Sequence, residues 1–153
     1  MLKELEGLSA SEFDLLAKAP MLVCILIAGA DSEIDNKEFK SAIELAKKGK
    51  AKPSVAEFYK IATEDFEDKL KIVLQGLLME TGKRNLQISE ELSHLSTIFP
   101  RIERNFAIDF YDSLRYIAKM TAESSGGLFG LKKIGDEEMK LMALPMITAP
   151  ASK

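Results

Sequence analysis

Apolar residues recur at intervals of three and four along almost the whole chain. No segment alternates polar and apolar residues between turn signals, as a half-buried strand would. Phe39, Ala42, Ile43 and Ala46 share one face, as do Phe66, Leu70, Val73, Leu74, Leu77 and Leu78. The same spacing joins Ile88, Leu92, Leu95 and Phe99, and again Phe106, Phe110, Leu114, Ile117 and Thr121. Stripes of this kind are buried by packing helices on helices. The expected fold is therefore all-α, a single-domain helical bundle of about seven to eight helices. A length of 153 residues suits one domain with one core.

Local signals set the expected boundaries. Ser9-Ala10-Ser11-Glu12 fits a capping box, with Phe13, Leu16 and Ala17 on the face behind it. Pro20 is expected to end that first helix and open a second over Met21 to Ala30, apolar almost all round and hence central. Asp35-Asn36-Lys37-Glu38 opens the next helix and Gly49 ends it; Pro53 opens a short fourth. Thr63 should cap a long fifth helix closed by Gly82, with Asp65/Lys69 and Glu67/Lys71 paired on its outer face. Pro100 stops the sixth, and the seventh runs to about Ser124. A glycine-rich loop from Ser125 to Gly135 leads to a last helix from Asp136. The bundle is expected over residues 1–144, with 145–153 (PMITAPASK) a loose tail.

Composition and charge exclude several classes. With 24 acids against 21 bases the net charge is −3, which steers the chain toward neither nucleic acid nor anionic lipid as a whole. Lys47, Lys48, Lys50 and Lys52 surround a helix end, where bases offset the dipole, and no aromatic interleaving accompanies them; no nucleic-acid partner is expected. Met21 to Ala30 is too short to cross a bilayer, and Glu4, Glu6, Glu12 and Asp14 before it do not fit a signal peptide. The single Cys24 cannot form an internal disulfide and reads as a small buried hydrophobe. A cytoplasmic setting is expected. Gly126 to Lys133 lacks the Gly-Lys-Ser/Thr that a phosphate-binding loop needs, and the helix after it opens with acids. His94 sits at the edge of the Leu92/Leu95 stripe. No nucleophile, base and orienting group stand out together, so no enzyme is expected.

What remains is acidic. Asp31, Glu33, Asp35 and Glu38 place four carboxylates within eight residues, offset only by Lys37. Converging carboxylates repel one another unless a cation lies among them, and hard cations take oxygen ligands. The spacing is not that of an EF-hand, because Asn36 and Ala42 fall where glycine and a bidentate glutamate are needed. One histidine and one cysteine do not make a zinc site. A second segment, Ile134-Gly135-Asp136-Glu137-Glu138, repeats the pattern of Ile34-Asp35-Asn36-Lys37-Glu38. Each follows a helix rich in small residues and opens a new one.

In these two segments the chain resembles the tellurite-resistance TerB-like family. Ile27 to Glu38 looks like the family's alanine–aspartate helix end, with its isoleucine and helix-opening glutamate; Ser125 to Glu138 is similar to its glycine-rich second element. Ser32 stands where the family has glycine, and Gly135 where it has a serine or threonine cap. The resemblance implies two pseudo-equivalent helix pairs, a stress-associated role, and a divalent cation held by acids of both segments. The expected ligands are Asp31, Asp35, Glu38 and Glu138, with Glu33 and Glu137 as weaker candidates. Ca²⁺ or Mg²⁺ is favoured over Zn²⁺. The competing reading is that these acids only cap helices, whose free N–H groups and dipoles attract carboxylates. The chain would then be a protein-interaction module, its partner a protein of unspecified kind, with a homodimer as one option.

Overall fold

The structure, a computed structural model, describes residues 3–28, 35–49, 52–127 and 140–150; of residues 35–38, 49 and 124–127 it describes the backbone alone. Asp31, Glu33, Glu137 and Glu138 lie outside the described residues, as do the side chains of Asp35 and Glu38. The architecture is all-helical. Among the described residues seven α-helices follow one another: α1 (Ala10–Ala28), α2 (Asp35–Gly49), α3 (Pro53–Ala62), α4 (Phe66–Gln75), α5 (Thr81–Ser93), α6 (Leu95–Ile98) and α7 (Arg104–Gly127). Short 3-10 turns at Lys3–Leu5 and Phe99–Arg101 precede α1 and α7. No strand occurs among the described residues, and no helix among them is long and apolar enough to cross a membrane.

The long helices α1 and α7 form the centre. They run in the same direction, as contacts at both ends show. Near their starts, Arg101 pairs with Glu12, and the Glu103 N–H donates to the Glu4 carbonyl at 3.3 Å. Near their ends, the Thr121 hydroxyl donates to Cys24 Sγ at 3.6 Å. α2 packs on α7 in the opposite sense, since the Lys52 N–H just beyond it donates to Asp109 Oδ2 at 2.7 Å. α5 runs back along α1, with Lys18 and Glu91 in an ion pair at 2.6 Å. The inward stripes expected on α2 and α7 are buried: Phe39, Ala42, Ile43 and Ala46 on α2, and Phe106, Phe110, Leu114, Ile117 and Thr121 on α7. The stripe expected from Phe66 to Leu78 is buried only at Phe66 and Leu70, and Leu78 is exposed. Cys24 is fully buried.

Aromatic rings hold the α3–α7 side of the core. Phe110 stacks on Tyr59 and Phe106, with centroids 5.8 and 6.0 Å away, and meets Phe58 edge-on at 5.5 Å. Tyr59 is fully buried, and its phenol bonds to Ser113 Oγ, whose own hydroxyl donates to the Phe110 carbonyl at 2.6 Å. This chain of bonds satisfies a polar group that burial would otherwise penalise. Burial also pushes the Tyr59 phenol well above its ordinary range, so it stays protonated.

Four boundaries differ from the sequence reading. Pro20 does not end a helix; α1 runs through it from Ala10 to Ala28. A proline inside a helix removes one backbone bond and crowds the preceding turn, at a cost of about 3 kcal/mol. Here every residue from Ala19 to Ile27 is buried, and that packing outweighs the local cost. The long fifth helix does not reach Gly82. α4 ends at Gln75, and α5 begins at Thr81 with Gly82 inside its first turn. Thr63 does not cap α4 but closes α3, its hydroxyl donating to the Tyr59 carbonyl, while Asp65 precedes α4 in a left-handed conformation. Lys69, expected to pair with Asp65, donates to the carbonyls of Ile61 and Ala62. Finally, the stretch expected to be a loose tail is tied down as far as it is described. Ile147 is buried beside the core and the Thr148 N–H donates to Ser96 Oγ at 2.8 Å.

Candidate functional site

Backbone geometry brings the ends of α1 and α7 and the start of α2 to one end of the bundle. Because α1 and α7 run in parallel and Cys24 meets Thr121, the residues after Ala28 and after Gly127 leave from the same end of the bundle. The third element reaches that end from the other direction. α2 ends level with the first half of α7, near Asp109. Its 15 residues rise about 22 Å at 1.5 Å each, which carries its start, with Asp35 and Glu38, back to the C-terminal end of α7. The expected cap position at Asp35 is the first residue of α2. The ends of α1 and α7 and the start of α2, which carries Asp35 and Glu38, thus lie together. The start of the last expected helix, at Asp136, lies outside the described residues, and a helical turn is described at residues 140–142.

Elsewhere in the chain, carboxylates at helix starts act as caps. The Ser9–Glu12 capping box forms as its pattern predicts: the Ser9 N–H donates to Glu12 Oε1 at 2.9 Å, and the Glu12 N–H to Ser9 Oγ at 3.2 Å. Glu80 caps α5 with both oxygens, accepting from the N–H groups of Gly82 and Lys83 at 2.9 Å each. A side chain at residue 82 would crowd that carboxylate, since a Cβ there would stand 3.1 Å from Glu80 Oε1. Glu103 caps α7 likewise, accepting from Asn105 and Phe106 at 2.9 and 2.8 Å. Neither Glu80 nor Glu103 was visible as a cap in the sequence, because the usual signal is Ser, Thr, Asp or Asn at that position. Gly82 two residues on, read as a helix end, was the clue.

These caps have a consequence in acid. Bonds from the Lys83 and Gly82 N–H groups hold the Glu80 carboxyl below its usual range, and the Ser9 N–H, with help from Arg101, does the same for Glu12. A carboxyl whose pKa is depressed by folding contributes stability above its unfolded pKa and loses it as pH falls through the folded one. The melting temperature should therefore fall on acidification below about pH 4.3, the ordinary glutamate value. Glu80→Gln should flatten that fall, as thermal melts of the two proteins across the acid range will show.

A cleft of about 520 Å³ between α1 and the α5–α6 segment is lined by Asp14, Lys18, Glu91 and His94. Lys18 and Glu91 pair across it, and Glu12 at its margin is engaged by Ser9 and Arg101. His94 is exposed there, at the end of α5, in keeping with a boundary residue. Among the described residues, no group of three or more His, Cys, Asp or Glu side chains is placed to hold a metal ion. Comparisons with protein-family models, with curated proteins and with solved structures give no match to this chain.

Proposed function

We propose that the chain is a non-enzymatic, stress-associated TerB-like domain that binds a divalent cation through Asp31, Asp35, Glu38 and Glu138, with Glu33 and Glu137 at the margin of the shell. The observation that carries this reading is the common end shared by α1, α7 and the start of α2. Acids spread over a hundred residues of sequence are useful to an ion only if the fold returns them to one place. A hard cation such as Ca²⁺ takes six to eight oxygens at about 2.3–2.6 Å, and carboxylates drawn from two segments would supply such a shell. Carboxylate ligands without thiolate or imidazole favour Ca²⁺ or Mg²⁺ over Zn²⁺.

A second reading has its own support. Glu12, Glu80 and Glu103 all serve helix starts in this chain, so Asp35, Glu38 and the acids at 136–138 can be explained as caps in the same habit. The domain would then be an interaction module with a protein partner. Calorimetric titration of chelator-stripped protein with Ca²⁺, Mg²⁺, Mn²⁺ and Zn²⁺ separates the two. Saturable, stoichiometric binding of Ca²⁺ or Mg²⁺ is expected; heats no larger than dilution for all four ions would leave the capping reading in place.

A further inference from the structure

Six large hydrophobic side chains stand exposed among the described residues, and four of them fall in one stretch: Ile72, Leu78, Met79 and Leu86. They occupy the end of α4, the turn at residues 76–80 and the start of α5. That turn is firmly held. Gln87 Nε2 donates to the Gly76 carbonyl and its Oε1 accepts from the Leu78 N–H, both at 2.9 Å. Arg84 donates to the Met79 carbonyl at 3.2 Å, and Glu80 caps α5 directly behind. A backbone fixed at so many points presents its side chains outward rather than letting them fold back.

Met79 keeps 93% of its surface exposed, a value reached only on a convex projection. Such a tip offers a flat protein surface little area, whereas it can enter a lipid headgroup layer end-on. The charges are ordered in the same sense. Moving away from the turn along either helix, an exposed base comes first, Lys71 on α4 and Lys83 on α5, and an exposed acid, Asp68 or Glu90, only further on. Glu80, the acid at the turn, has its carboxylate engaged by two backbone N–H groups and faces Arg84. Apart from the exposed Glu80, apolar tip, then bases, then acids is the order an anionic bilayer selects, because bases gain at headgroup depth and acids belong in water.

We propose that the α4–α5 turn is a reversible anchor that inserts Leu78 and Met79 into an anionic lipid surface without spanning it. The net charge of −3 opposes approach at long range, but beyond a Debye length of about 8 Å it is screened, and the charges beside the tip decide. The proposal does not depend on cation binding.

The test uses the full chain carrying Met79→Cys labelled with an environment-sensitive fluorophore; Cys24, the only native cysteine, is fully buried, so labelling is selective. Emission should shift to the blue with vesicles of equimolar phosphatidylcholine and phosphatidylglycerol, and much less with phosphatidylcholine alone. The unlabelled chain should float with the mixed vesicles. Lys71→Gln and Lys83→Gln should each weaken that binding about fivefold, the contribution of one base near an anionic surface. Leu78→Asp with Met79→Asp, both exposed and hence compatible with folding, should abolish it while leaving the helical circular dichroism spectrum unchanged. Equal response to both vesicle types, no response to either, or binding retained by the double aspartate variant would each overturn the proposal. So would a blue shift that grows with protein concentration in the absence of lipid, which would make the occupant a second copy of the chain.

Discussion

Phe110→Ala should lower the melting temperature by about 6–20 °C, more than a change at an exposed helix position. Phe110 is fully buried and its ring meets those of Phe58, Tyr59, Phe99 and Phe106. Truncation removes apolar contact area and leaves a cavity that four rings fixed on three different elements cannot close, at a cost of about 3–5 kcal/mol. Rings packed edge-on or offset add about 0.5–1.5 kcal/mol per pair beyond area, which places the cost toward the upper part of that range. For a domain of this length each kcal/mol moves the midpoint by about 2–4 °C. Leu86→Ala is the control. That side chain is 73% exposed, and a surface change of this kind stays within about 0.5 kcal/mol. A thermal melt that shifts by less than about 3 °C for Phe110→Ala, or equally for both variants, would contradict the central place given to the aromatic cluster.

The same cluster shows why much of the fold was legible. A stripe such as Phe106, Phe110, Leu114, Ile117 and Thr121 follows from helix periodicity alone, and each member is buried as that periodicity requires. Boundaries were harder, because they depend on competition between local and tertiary terms. Pro20 is a strong local breaker, yet it lies within a run buried on every side, where leaving the helix would expose more than the broken bond costs. Gly82 was misread for the opposite reason: it serves a cap two residues earlier, and that function appears only once Glu80 is placed. Ile147 carried no periodic signal, so its burial against the core was invisible until the chain was folded.

The acidic segments mark where local reading stops. Asp35 and Glu38 at a helix start look the same whether they cap or coordinate, because both roles ask for a carboxylate among free N–H groups. What separates the roles is tertiary convergence, which no window of sequence contains. The parallel course of α1 and α7, read from Glu12–Arg101 at one end and Cys24–Thr121 at the other, is the structural fact that bears on convergence. It concerns helix directions; the acids themselves are addressed by cation titration.

Saturation with the preferred divalent cation should raise the melting temperature by about 5–10 °C. An ion that binds only the folded state stabilises it by about 2.7 kcal/mol at one hundred times its dissociation constant, and the same 2–4 °C per kcal/mol converts that to the stated shift. Any added cation also screens repulsion among acids, so the reference is a monovalent salt at matched ionic strength. Asp31→Asn separates coordination from capping. Residue 31 follows the end of α1 and precedes the first residue of α2 by four, so it is not at the cap position of either helix start. Its amide analogue should therefore leave the metal-free melting temperature almost unchanged while removing most of the cation-dependent rise. Glu38→Gln is a less clean probe, since glutamine can still complete a capping box. A rise in Asp31→Asn equal to that of the parent chain would remove Asp31 from the ligand set. If no divalent ion exceeds the monovalent reference, cation binding is excluded as the role of these acids, and the cap reading, already the habit of Glu12, Glu80 and Glu103, accounts for those at the helix starts.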